Sequence, residues 1–261
     1  MMESQERTKV WLIVALCLLV LLGGYFFADW LIGRETFRGA APEQPAEPLI
    51  APVAQPALEK YEEIAQYTGD KPLPTEPSPY VFLTAVESDE HILGNRQSKI
   101  TVVEYAALTS LYTQLFHPKM HEFLEKNSDA HWVFRHYPAT NNENDYRAGL
   151  ATECVAQQLG NDGFWSYLDL LMQQKGSTLP LELLLSNGTK IGADAMRLQT
   201  CIEKKELYDY VLNDKAMAEA DSQISVSPSF VFLNNETQAM RVVEGLNTLE
   251  YMQAVLDDVA Q

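Results

Sequence analysis

Ile100-Thr-Val-Val-Glu-Tyr-Ala-Ala-Leu-Thr-Ser-Leu-Tyr-Thr-Gln-Leu-Phe-His-Pro118 is the stretch on which the reading of this chain turns. Its first half is a β-branched run of buried-strand type, and Thr109 or Ser110 offers an N-cap for the helix that follows. A strand feeding a helix N-terminus puts residues 110–113 where backbone N–H groups and the helix dipole stabilise negative charge. The helix is expected to run from Ser110 to Lys126 and a second strand from His131 to Tyr137, which makes a βαβ unit with a parallel strand pair and a right-handed crossover.

Beyond Pro138 a polar turn leads into a helical block from Asp145 to about Ala220. Gly160 to Gly163, Gly176 to Pro180 and Gly188 to Asp194 mark expected breaks within it. Strand chemistry returns at Ser229 to Leu233 and Met240 to Val243, separated by Asn234-Asn235 of hairpin type. Leu246 to Val259 then reads as an amphipathic closing helix. This order gives an α/β domain over residues 80–261, interrupted by a helical insertion at about 143–224.

With 261 residues, 46% of them hydrophobic, the chain can build a substantial core. Its 19 Lys and Arg against 36 Asp and Glu give a net charge of −17. Nucleic acid is therefore not expected as a partner, since its attraction depends on clustered cations. Cysteine is confined to Cys17, Cys154 and Cys201. That is too few for a disulfide-stapled scaffold but enough for one bridge.

From Val10 to Ala28 no residue is charged, and as a helix this run would span about 28 Å, close to the hydrocarbon thickness of a bilayer. Trp11 at one end and Tyr25, Phe26, Phe27 and Trp30 at the other suit the two interfaces. Gly23-Gly24-Tyr25-Phe26-Phe27 is a poor cleavage site, so residues 10–28 are read as an uncleaved transmembrane anchor after a short tail at 1–9. Arg7 and Lys9 precede the span while Arg34 and Arg38 follow it, so charge counting leaves the orientation open. Residues 29–79 read as a Pro/Ala/Glu-rich tether of extended character, interrupted by a helical patch from Leu58 to Tyr67.

Several local signals are similar to landmarks of one family. Asp89-Glu90-His91-Ile92-Leu93-Gly94-Asn95 precedes a strand ending in Glu104-Tyr105, and Phe116-His117 lies early in the following helix. Val226-Ser227-Pro228-Ser229-Phe230-Val231-Phe232 opens a later strand. Together with the element order, these resemble the DsbA-like branch of the thioredoxin superfamily over roughly residues 87–261. The resemblance implies a thioredoxin core with a helical insertion, a cis proline at Pro228, and a Cys-x-x-Cys pair where this chain has Ser110-Leu111-Tyr112-Thr113. A hydroxyl cannot replace a thiolate in disulfide exchange, so the family's redox chemistry is expected to be absent.

The resemblance implies further site roles. Backbone groups at Ser227, beside Pro228, would pair with an extended peptide, with Leu111 and Tyr112 alongside. Cys154 and Cys201 lie in helical, semi-apolar settings whose bland reading is two buried thiols. Relatives with cysteines in comparable helices bond them to each other, which points to a structural Cys154–Cys201 disulfide. Glu104 matches an acidic position that relatives often have beside the redox centre, and by itself reads as a strand-end charge.

Other chemistry finds little support. Ser110 and His117 are two helical turns apart, about 10 Å, too far for a nucleophile and its base. His117 and His121 share a helix face at i, i+4, but Pro118 between them should bend the helix and no third ligand is evident, so no metal or other cofactor is expected. Relatives work in the periplasm or outside the cell, which implies a single-pass inner-membrane protein with its C-terminal domain in the periplasm. Its expected role is to bind an envelope protein, as a catalytically inactive scaffold subunit with no small-molecule substrate. Two alternatives stay open: a thiol-independent periplasmic chaperone, and a thiol-disulfide oxidoreductase working through Cys154/Cys201 or a partner's thiols.

Overall fold

Three segments buried along nearly their whole length form the centre of the sheet in the computed structural model, which describes residues 83, 85–174, 178–220 and 224–261. The anchor at 10–28, the tether at 29–79 and the patch from Leu58 to Tyr67 lie outside the described residues. Among the described residues no helix is long and apolar enough to cross a membrane.

The strands are β1 (Ile92–Leu93), β2 (Ile100–Ala106), β3 (Ala130–His136), β4 (Ser229–Asn234) and β5 (Met240–Glu244), in spatial order β1-β3-β2-β4-β5. β2 and β3 are parallel, with Ile100 opposite Ala130, whereas β4 runs antiparallel to β2 and β5 antiparallel to β4. Helix α1 (Leu111–Lys126) crosses over between β2 and β3. Four helices then intervene before β4: α2 (Glu143–Met172), α3 (Leu181–Lys190), α4 (Ala195–Lys204) and α5 (Tyr208–Ala220). Helix α6 (Leu249–Val259) closes the chain, capped by Thr248, whose side chain accepts from the Tyr251 amide.

Side-chain alternation along β2 divides the core between two faces. Ile100, Val102 and Ala106 join Phe116, Met120 and Phe123 of α1, Val255 and Val259 of α6, and much of α2. Val103 and Tyr105 point the other way, to Val133, Val231, Tyr137, Ala218 of α5 and Ile224. β2 and β4 are covered on both sides, which is why they read as near-continuous apolar runs rather than alternating ones.

The break expected at Gly160 to Gly163 is present as a kink: at Gly160, with φ 71° and ψ −164°, the two helical halves of α2 meet, because glycine can adopt this conformation without a Cβ clash. The insertion departs from expectation in one place. Lys205, in the left-handed region at φ 54°, ends α4. That break carries no glycine or proline, so the punctuation reading missed it. The short edge strand β1, antiparallel to β3, was also missed. It leads into Gly94, at φ 102°, where an added Cβ would sit 3.3 Å from His131 Cα.

Cys154 of α2 and Cys201 of α4 form a disulfide across a sequence separation of 47, with Cα atoms 6.0 Å apart. Both are buried, so the bridge ties two helices of the insertion from within.

Candidate functional site

Ser110 is the N-cap of α1 and its Oγ accepts from the Thr113 amide at 3.4 Å. Thr113 is fully buried and its Oγ1 has no hydrogen-bond partner, while Leu111 and Tyr112 are half-buried on the first turn. The loop entering this helix is fixed from the insertion. Asp145, on the first turn of α2, accepts from the Thr109 amide at 2.8 Å and from the Ala139 amide at 3.0 Å. One buried carboxylate thus locks the two loops that follow β2 and β3.

The Ser227–Pro228 peptide bond is cis, as the resemblance implied. Ser227 Oγ accepts from the Ala107 amide at 2.7 Å, which brings this turn beside the loop that leads to Ser110. Pro228 is buried and its carbonyl accepts from the Gly245 amide at 2.9 Å. A cleft of about 680 Å³ opens next to it, lined by Ser227, Ser225, Ile224, Tyr137, Ala139, Thr140, Lys215 and Glu219. Of the four residues expected to bind peptide, Ser227 lines this cleft, whereas Pro228, Leu111 and Tyr112 are not among its walls. Lys215 pairs with Glu219 at 2.8 Å and lies over the Tyr137 ring at 4.2 Å, so the charges of that wall are mutually satisfied.

Glu104 is not a strand-end charge. It lies mid-strand opposite Phe134 and Phe230, fully buried, and neither carboxylate oxygen has a hydrogen-bond partner. Burial pushes its pKa up to about 8, only partly opposed by the nearby Trp132 indole, so the carboxyl is protonated at neutral pH.

A second buried polar system joins the sheet to the insertion, and nothing local in the sequence revealed it. Glu153 of α2 bridges His136 at 2.7 Å and His91 at 2.9 Å. Burial works to raise the Glu153 carboxyl, but hydrogen bonds from the two imidazoles outweigh it and hold the pKa down at about 2. Asp214 of α5 accepts from the His136 amide at 2.8 Å, and burial pushes its pKa up to about 7. Arg135 forks onto Glu90 at 2.6 and 2.9 Å and reaches the Tyr105 hydroxyl at 2.6 Å.

His117 and His121 acquire the third group that the sequence did not display. Asp169, from the far half of α2, brings its Oδ1 to 2.7 Å from His117 Nε2 and 2.9 Å from His121 Nε2. Helix α1 runs continuously through Pro118, so both histidines stay on one face. Burial would raise Asp169, but the hydrogen bonds from the two histidines hold it well below the usual carboxylate range. Burial lowers His117 from its ordinary value, against the pull of Asp169.

A family model described as thioredoxin matches residues 87–258, well over half of the chain, and the chain belongs to that family. Among solved structures, DsbA2 of Pseudomonas aeruginosa aligns with TM-score 0.57 and 23% identity, covering 67% of this chain and 96% of that one. Oxidised BdbD of Bacillus subtilis aligns with TM-score 0.61 and 16% identity, covering 69% and 98%. The fold is therefore the DsbA-like form of thioredoxin, a core carrying a helical insertion. The Na(+)/H(+) antiporter NhaA 3 of Salinispora tropica is 28% identical over 155 residues, which are 59% of this chain and 23% of that protein. The chain spans less than a quarter of the length of the curated relatives it matches.

Proposed function

We propose that this protein is a DsbA-like domain without thiol–disulfide activity, held at the membrane by residues 10–28 and tethered by residues 29–79, that binds an envelope protein in the periplasm through the cleft beside Ser227. What supports this reading is the chemistry at Ser110 and Thr113, the positions that the resemblance aligns with the family's two thiols. Ser110 Oγ caps the helix and Thr113 is buried, and a hydroxyl at either position cannot supply the attacking sulfur of disulfide exchange. Cys154 and Cys201 are bonded to each other and buried, outside any Cys-x-x-Cys arrangement. What supports binding is the cis Ser227–Pro228 turn with an open cleft at its side, a surface on which an extended chain can add backbone hydrogen bonds.

Two measurements on the full chain in detergent test the two halves of the reading. Insulin reduction should remain at background; turnover that disappears in a Cys154→Ala variant would instead establish chemistry at that bridge. A photocrosslinking residue placed at Ser227 and activated in intact envelopes should capture one dominant protein. A ladder of many unrelated chains would favour the chaperone reading over a scaffold with a fixed partner.

A further inference from the structure

His117, His121 and Asp169 lie on two different helices, yet they aim three ligand-type atoms at one point. His117 and His121 are one turn apart on α1, and Asp169 reaches them from α2. The Nε2 atoms of the two histidines are 3.3 Å from each other, and Asp169 Oδ1 lies 2.7 and 2.9 Å from them. A carboxylate oxygen can accept two hydrogen bonds, so the arrangement is set apart by the approach of the two imidazole nitrogens to each other as well as to that oxygen. Here two imidazole nitrogens are turned toward the same oxygen and toward each other.

We propose that these three side chains form a binding site for a divalent transition-metal cation of the zinc class. A tetrahedral ion sits about 2.0–2.1 Å from nitrogen and oxygen ligands, which places those ligands about 3.3 Å apart. The two nitrogens already have that spacing, and the oxygen has to withdraw by about half an ångström. Two imidazoles and one carboxylate suit zinc, cobalt, nickel or copper, whereas calcium and magnesium prefer all-oxygen sets.

Access and rigidity fit the same reading. The His117 side chain is 4% exposed, whereas those of His121 and Asp169 are 34% and 40% exposed. The site is therefore anchored on the core at one ligand and open to solvent at the other two, which leaves a fourth position for water. Both imidazoles pack on Trp132, with ring centroids 5.1 and 5.4 Å away, so their planes are held by the core. A bound ion would pin α1 to α2, the joint between the core and the insertion.

The test uses the full chain in detergent, freed of metal with a chelator, and titrated calorimetrically with zinc chloride and separately with cobalt chloride. One ion should bind per chain, cobalt should give the visible absorption of a tetrahedral site, and zinc should raise the unfolding temperature while magnesium does not. His121→Ala and Asp169→Asn alter partly exposed groups, and each should weaken zinc binding at least tenfold, with the far-ultraviolet circular dichroism of the metal-free protein unchanged. Absence of saturable zinc or cobalt binding would overturn the proposal. So would one-to-one binding that both variants retain at full affinity.

Discussion

Glu104 shows how one side chain can set the pH response of a domain. Its carboxyl sits in the sheet between aromatic neighbours, with burial raising the pKa from 4.5 to about 8. Between those two values the folded protein keeps a proton that the unfolded chain has lost. Stability must then fall as pH rises through the window and level off above it, by an amount on the order of a few kcal/mol. Other buried groups titrate in overlapping ranges, Asp214 among them, so the informative quantity is a difference. Glu104→Gln removes this one titration and keeps the shape. Thermal unfolding followed from pH 4.5 to 8 should show wild type losing stability relative to the variant as pH rises. Parallel profiles would mean that the Glu104 carboxyl titrates as if exposed.

At the scale of elements, the insertion is held by one covalent link and by buried charge. The Cys154–Cys201 bridge joins α2 to α4 over a separation of 47 residues, and on the chain-entropy estimate such a closure contributes about 4 kcal/mol. The double variant Cys154→Ala/Cys201→Ala should unfold in urea with a loss of roughly 2–4 kcal/mol. Intact mass after alkylation should show two further blocked thiols only once reductant is added; two freely alkylating cysteines in native protein would contradict the bridge. The strand–helix–strand unit was legible in the sequence because its signals are local: a β-branched run at Ile100 to Val103, a serine cap at Ser110 and an apolar run at Trp132 to Phe134. Asp169 was not, since it meets His117 from 52 positions away and only after α2 has folded back. The His91–Glu153–His136 bridge is hidden for the same reason. Glu104 was misread because its position in the run resembles a strand end, while its true setting depends on β3 and β4 flanking it. Lys205 was missed because a left-handed cap without glycine has no compositional mark.

At the scale of the whole molecule, the functional proposal depends on which side of the membrane the acidic body occupies. As a helix, the uncharged run from Val10 to Ala28 would span about 28 Å, enough to cross the bilayer in the proposed arrangement. Two cations precede it, Arg7 and Lys9, and two follow it, Arg34 and Arg38, so local counting is nearly balanced. Aspartate and glutamate contribute little to orientation and long domains translocate largely regardless of charge, so the net charge of −17 does not decide the side, and it is the DsbA-like resemblance that points to the periplasm. A nine-residue tail is easily left in the cytoplasm. The expected arrangement has residues 1–9 in the cytoplasm and residues from about 31 onward in the periplasm. A reporter that folds only in the periplasm, fused after Gln261, should be active, and the mature protein should begin upstream of residue 10 by N-terminal sequencing. Activity from a reporter that works only in the cytoplasm, fused at the same site, would reverse the orientation. The cleft beside Ser227 would then face cytoplasmic proteins, and the envelope partner proposed above would have to be abandoned.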